Sequence, residues 1–195
     1  MYANSIDGAE TAQEFGKLVG VLKECTSIYA SGSTSSGVFP IWLKERFQFI
    51  YVYCDMNLVS IKKGWTTIQR RMNGEVNFNR GWDDYVKGFG NPQGEYWLGL
   101  ENIYRLSRQV TSGDFHLPKP PEIGFDLEDW DGVKAFAEYT FFRYLPKEFN
   151  YKLYVVGRNT SSCFSLSPIF FGQFSTPDVE NDVNDNSHCA RESKS

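Results

Sequence analysis

The run Phe47-Gln48-Phe49-Ile50-Tyr51-Val52-Tyr53-Cys54 puts an aromatic ring at every odd position through Tyr53 and mostly aliphatic residues between them. Alternation at period two fits a pleated strand and not a helix. Apolar side chains on both alternations predict a central strand covered on both faces. Rings recur throughout the chain, which carries 16 Phe, 11 Tyr and 5 Trp in 195 residues. With 41% hydrophobic and 23% charged residues, such a chain can build one sizeable core, and its length favours one domain. The formal charge of −4 leaves no basic footprint for a nucleic-acid duplex.

Other segments alternate between strand and helix patterns. Gly64-Trp65-Thr66-Thr67-Ile68-Gln69-Arg70-Arg71 reads as a second strand, and Asn73-Gly74 is a hairpin-type dipeptide. Trp82, Tyr85, Val86 and Phe89 share a helical face that Gly88 and Gly90 terminate. Leu100, Ile103, Tyr104 and Leu106 suggest another short helix, and Phe15, Leu18, Val19 and Leu22 a further one near the start. Residues 111–124, with Gly113, Pro118, Pro120, Pro121 and Gly124, form a connecting loop. Strand patterns resume at Phe125–Trp130, Lys134–Tyr144 and Tyr151–Val156. Together these predict an α+β fold of antiparallel strands with a few short helices. Trp65, Trp82, Trp97 and Trp130 are expected to fill its core.

Cys25, Cys54, Cys163 and Cys189 form an even set without C-x-x-C spacing, which disfavours zinc and thioredoxin-like chemistry. Three pairings are open, Cys25–Cys54 with Cys163–Cys189 being the most local, and four buried reduced thiols are the alternative. Residues 1–20 contain no apolar run of signal-peptide length, and no stretch approaches a membrane span. The even cysteine count and the sequon Asn159-Thr160-Ser161, a candidate glycosylation site at Asn159, point instead to part of an exported, extracellular protein.

Catalytic machinery is hard to find. The two histidines, His116 and His188, suggest no dyad, and the serine-rich stretch 31–37 has no nucleophile-elbow pattern. Glu128, Asp129, Asp131, Asp83 and Asp84 read as solvated charges or turn formers, and no enzyme is expected. The strongest candidate site is the acidic segment, where Asp178, Glu180, Asp182 and Asp185 alternate with Asn181, Asn184 and Asn186. Hard cations take six to eight oxygens, and a bound Ca²⁺ relieves repulsion among crowded carboxylates. The spacing is not that of an EF-hand, since Val183 and Cys189 stand where Gly and Glu are required. A hydrated acidic tail is the alternative.

A long series of strings resembles the fibrinogen C-terminal, or fibrinogen-related, domain of fibrinogen, ficolins, tachylectins, angiopoietins and tenascins. They are Tyr51-Val52-Tyr53-Cys54-Asp55-Met56, Gly64–Arg71, Phe78-Asn79-Arg80-Gly81-Trp82, Gly88-Phe89-Gly90, Gly94-Glu95-Tyr96-Trp97-Leu98-Gly99, Leu127-Glu128-Asp129-Trp130-Asp131-Gly132 and Phe174-Ser175-Thr176. The match covers roughly residues 21–190 and divides the chain into an extension, 1–20, and a fibrinogen-like domain, 21–195. The resemblance implies a loop-rich, calcium-binding C-terminal subdomain beside the antiparallel sheet, and a Cys25–Cys54 disulfide. It places calcium on Glu180 and Asp182, with carbonyls near Asn184 and Asn186 and Asp178 in the same loop.

Departures from the family pattern concentrate at the same end. Glu180 replaces the usual Asp and one extra residue precedes Cys189, both of which weaken the expected calcium affinity. The family partner of Cys189 lies in a downstream segment, and the chain ends at Ser195, so the domain is expected to lack its last segment and much of its ligand pocket. No pocket residue carries over. Cys163 stands where the family usually has Gly, which suggests a Cys163–Cys189 bond as one outcome. The resemblance implies a lectin-like recognition domain of innate-immune type, binding carbohydrate or acetylated surfaces. A receptor-binding or matrix-adhesion module, or a domain without a working pocket, is the alternative. Oligomers, if formed, would use regions outside this chain.

Overall fold

The computed structural model describes residue 20 and residues 22–57, 63–111, 120–157 and 169–181. Helix α1 (Cys25–Ala30) leads into strands β1 (Gly37–Leu43) and β2 (Gln48–Asp55), joined by a 3₁₀ turn at Lys44–Arg46. These strands pair antiparallel from Gly37 opposite Cys54 to Leu43 opposite Gln48, and β3 (Trp65–Thr66) adds to the other edge of β2. β2 is therefore central within its sheet, as its pattern predicts, but it is not covered on both faces. Ile41, Leu43, Val52 and Cys54 point into the core, while Phe49 and Tyr51 of β2 are exposed and Tyr53 is half-buried against the core. Phe47 is 80% exposed and Tyr51 63% exposed, with Trp42 edge-on to Phe47 and Phe49. Period two identified the strand; it could not say that one aromatic face meets solvent.

The segment 64–71 is not one strand. It breaks after Thr66, and β4 (Gln69–Arg70) joins a different sheet of order β4-β6-β5, with β5 (Phe89–Gly90) and β6 (Tyr96–Trp97). β4 pairs with β6, so Asn73-Gly74 closes no hairpin; Gly74 has φ +78 in a loop wrapped around Glu95. Helix α2 (Trp82–Lys87) ends at Gly88, as expected, in an extended positive-φ conformation open to glycine (φ +92, ψ 157) and not in a left-handed cap, so Phe89, expected on the helical face, begins β5 instead. A Cβ on Gly88 would lie 2.7 Å from the Leu98 carbonyl oxygen, so the helix end abuts the strand leaving β6.

Helix α3 (Leu100–Thr111) is longer than its short apolar pattern suggests. Leu100, Ile103 and Leu106 enter the core, and Gln109 ties the helix to β1 by donating to the Trp42 carbonyl and accepting from Lys44 N–H. Strands β7 (Ile123–Glu128) and β8 (Lys134–Tyr139) form a hairpin, and β9 (Phe141–Tyr144), β10 (Leu153–Val156) and β11 (Ile169–Gly172) form a sheet of order β11-β10-β9. The expected strand over 134–144 is thus two, turning at Thr140. The architecture is α+β, with antiparallel sheets and short helices.

Among the tryptophans, Trp97 is buried, Trp65 and Trp82 are half-buried, and Trp130 is 96% exposed at the β7–β8 turn. The core assignment for Trp130 is corrected accordingly: its apolar neighbours in sequence belong to a hairpin whose tip projects from the fold. No helix among the described residues is long and apolar enough to cross a membrane.

Candidate functional site

The acidic segment enters the fold through Phe174. Its ring lies 5.9 Å from Trp97, nearly stacked, 5.1 Å from Tyr85 and 6.4 Å from Trp82. Helix α2 supplies Trp82 and Tyr85 from one face, and β6 supplies Trp97, whose indole N–H donates to the Tyr85 carbonyl at 2.8 Å. One stacked and two tilted ring contacts hold Phe174 in place. The chain then makes a tight turn, closed by Thr176 pairing with Val179.

That turn aims Asp178 at the start of α2. Trp82 N–H donates to its carboxylate at 2.9 Å and 3.2 Å, and the Thr176 hydroxyl donates to Oδ1 at 2.7 Å. The Thr176 bond, helped by Trp82 N–H, holds the Asp178 carboxyl below its usual range. Helix α2 has no cap within its own sequence, its N-cap being Gly81, so a residue 96 positions away performs that role. The approach is close: a Cβ on Gly81 would lie 2.7 Å from Asp178 Oδ2, so a larger residue there would push the carboxylate aside.

Asn181 fixes the far side of the turn. It donates to the Phe174 carbonyl at 2.8 Å, its N–H donates to the Ser175 hydroxyl at 3.0 Å, and it accepts from Asn150 Nδ2 at 3.0 Å. Asn150 and Tyr151 both adopt left-handed conformations, φ +48 and +47, which is common for Asn and unusual for Tyr. The fully buried Tyr151 lies against Trp82 at 6.1 Å, and its hydroxyl donates to Glu101 at 2.7 Å. Burial, then the Glu101 hydrogen bond, raises the Tyr151 pKa. Against the upward push of burial, Tyr151 and Arg105 hold Glu101 below its usual value. Arg105 also contacts Glu45 at 2.9 Å, so a chain of polar contacts runs from the acidic segment through α3 to the β1–β2 turn.

Of the residues expected to form the site, the structure thus commits Asp178 to the helix start, and Glu180 follows it on the surface. Asp182, Asn184, Asn186, Asn159, Cys163 and Cys189 lie outside the described residues, as do His116, His188 and Phe15, Leu18 and Val19. Among the described residues no group of three or more His, Cys, Asp or Glu side chains is arranged to hold a metal. Cys25 and Cys54 are disulfide-bonded, with Cα atoms 5.5 Å apart. Asn150, Tyr151 and Glu101 carry no motif, and only the fold brings them to the segment.

A second carboxylate organises the loop beside α2. Glu95 is buried and accepts N–H bonds from Met72, Asn73, Gly74 and Val76 at 2.6–2.9 Å. These backbone donors, Met72 foremost, lower its pKa to about 2.

Residues 21–195 match the family described as fibrinogen beta and gamma chains, C-terminal globular domain. The chain is 36% identical to angiopoietin-1 of Bos taurus over 163 residues, covering 82% of this chain and 30% of that protein. It is 37% identical to angiopoietin-4 of Homo sapiens over 170 residues, covering 87% of this chain and 31% of the relative. It thus spans about a third of the length of these relatives. The fibrinogen-like globe domain of human ANGPTL2 superposes with a TM-score of 0.73 at 35% identity, over 87% of this chain and 73% of that one. The family is one of non-enzymatic binding modules. The family match over residues 21–195, with the angiopoietin relatives and the shared globe fold, leads to one assignment: this chain belongs to the fibrinogen C-terminal domain family.

Proposed function

We propose that this chain is a secreted receptor-binding module, recognising a protein on the cell surface without catalysis. The observation that carries this reading is the run of angiopoietin relatives, each at least 34% identical and each matched over more than four fifths of this chain. The angiopoietin branch is where the family resemblance implies receptor binding. Lectin-like recognition of carbohydrate or acetylated groups is the second reading, and matrix adhesion a third. The fold supplies a rigid mount for either kind of contact, because the segment after Phe174 is anchored by rings on one side and by Asn181 on the other.

Calcium belongs to the same proposal. The donor set is hard oxygen, the chemistry Ca²⁺ takes. With Asp178 engaged at α2, the ion falls to Glu180 and Asp182, completed by carbonyls near Asn184 and Asn186. Asp178 then positions the loop and does not ligate. When bound, the cation supplies charge neutralisation and rigidity to the loop; the chain's own residues hold the loop root through Asp178, Asn181 and Phe174.

A glycan array and an N-acetylated resin, each probed with and without Ca²⁺, separate the readings. Receptor binding predicts retention on neither surface at micromolar protein. Calcium-dependent retention that free N-acetylglucosamine displaces would overturn it in favour of a lectin.

A further inference from the structure

We propose that the end of the β1–β2 hairpin docks on an anionic phospholipid surface, seating its aromatic rings at the headgroup boundary and its cations on the headgroups. This face shares no residue with the segment after Phe174. The register sets Trp42 opposite Phe49 and Pro40 opposite Tyr51, on the side of the pair turned away from Ile41 and Leu43. Phe49 is 38% exposed, Tyr51 63%, and Phe47 at the turn 80%. Trp42 meets Phe49 at 4.9 Å and Phe47 at 6.4 Å, both edge-on, so the rings form one cluster. A contiguous exposed apolar cluster on an ordered fold marks contact with another surface.

The hairpin end is held from behind. Gln109 of α3 donates to the carbonyls of Lys23 and Trp42 at 3.0 Å and 2.7 Å, and accepts from Lys44 N–H at 2.9 Å. The 3₁₀ turn Lys44–Arg46 closes into Phe47, whose φ of +51 is left-handed and uncommon for a bulky residue. The fold gives the Phe47 ring little shelter in return, so its packing within the domain does not account for it.

Charge selects the occupant. Lys44 and Arg46 are exposed in the turn, and Arg105 and Arg108 reach it from α3 through Glu45, at 2.9 Å and 3.9 Å. Glu45 and Glu101 are the carboxylates these four cations face, which leaves the hairpin end positive on a chain of formal charge −4. A cation beside an anionic leaflet strengthens attachment about fivefold. Tryptophan and tyrosine rings favour the headgroup level, and Lys and Arg stems lie along apolar surface with their charges in water. A second copy of this face would set Lys44 and Arg46 against their own like charges, which disfavours self-pairing.

The test is co-sedimentation of the whole chain with vesicles of phosphatidylcholine, alone or with about one third phosphatidylserine. The phosphatidylserine vesicles are expected to bind about tenfold tighter, with attachment weakening as salt rises. Phe47→Asn removes the ring and suits the left-handed backbone, so it should weaken binding about tenfold with no fall in melting temperature. Lys44→Gln and Arg46→Gln should each cost about fivefold. Lipids with brominated acyl chains should quench a share of the tryptophan fluorescence that Trp42→Phe lacks. Equal binding to both vesicles, indifference to Phe47→Asn, or identical quenching in Trp42→Phe would each overturn the proposal. So would tighter binding to heparin or poly-glutamate that Phe47→Asn abolishes, which assigns the face to a sulfated glycan or an acidic protein, or dimers that Phe47→Asn dissolves.

Discussion

Replacing Cys25 and Cys54 together by alanine tests how the first third of the domain is held. The bond closes a loop of 29 residues between the start of α1 and the inner face of β2, and both cysteines are 0% exposed. For that loop, chain entropy gives about 3.6 kcal/mol of stabilisation at 25 °C, acting through the unfolded state. For a domain of this size, 1 kcal/mol corresponds to roughly 2–4 °C, so Tm should fall by about 7–14 °C. The native fold should persist, because α1 is also clasped to β3: Cys25 N–H donates to Thr66 Oγ1 at 3.3 Å and Thr26 Oγ1 to the Gly64 carbonyl at 2.9 Å. Urea unfolding followed by far-ultraviolet circular dichroism supplies a second readout. Opening the loop lets the unfolded chain expose more surface, so the m-value should rise as the midpoint falls. A Tm drop under about 3 °C with an unchanged m-value would refute the entropic reasoning. So would native-state reduction of the bond by dithiothreitol at a rate independent of unfolding.

Three further outcomes follow from the site. Asp178→Ala should destabilise by about 1 kcal/mol and speed exchange of the Trp82 amide, while Asp178→Asn, still a good cap, should be close to neutral in the same thermal melts. Glu95 has a folded pKa of about 2 against an ordinary 4.5, so its contribution is fully present above pH 4.5 and is lost as pH falls towards 2; Glu95→Gln should remove that part of the acid-unfolding curve, with faster exchange at Met72, Asn73, Gly74 and Val76. Under the calcium proposal, Ca²⁺ should raise Tm in a concentration-dependent way, and Glu180→Asp should shift the half-effect to lower Ca²⁺; no response to millimolar Ca²⁺ in either protein would remove calcium from the account.

Legibility in the sequence followed the range of the interactions. The β2 run, the α2 face and its Gly88 terminus could be read because neighbours along the chain set them. Solvent exposure could not: Phe47, Tyr51 and Trp130 look like core residues by pattern, and only the way the β1–β2 sheet turns one face to the core and the projection of the β7–β8 turn place them outside. The break at Thr67 was hidden because both halves of 64–71 are extended, and the partners that separate them, β2 and β6, lie elsewhere in the chain. At the site, acidic composition singled out Asp178 as a metal ligand candidate, whereas its observed bonds depend on an α2 backbone N–H 96 residues away. Glu95 sat inside a recognisable string, but its four amide donors belong to a loop whose path the string does not state.

The most direct test of the central claim, protein recognition by a seated fibrinogen-like domain, is flow cytometry of the labelled chain on cells in Ca²⁺-containing buffer. Parallel samples are shaved with trypsin or treated with glycosidases. Binding that trypsin abolishes, that glycosidases and N-acetylglucosamine leave unchanged, and that Phe174→Ala reduces is the predicted result. Binding that survives trypsin and disappears with glycosidase treatment or free N-acetylglucosamine would contradict it.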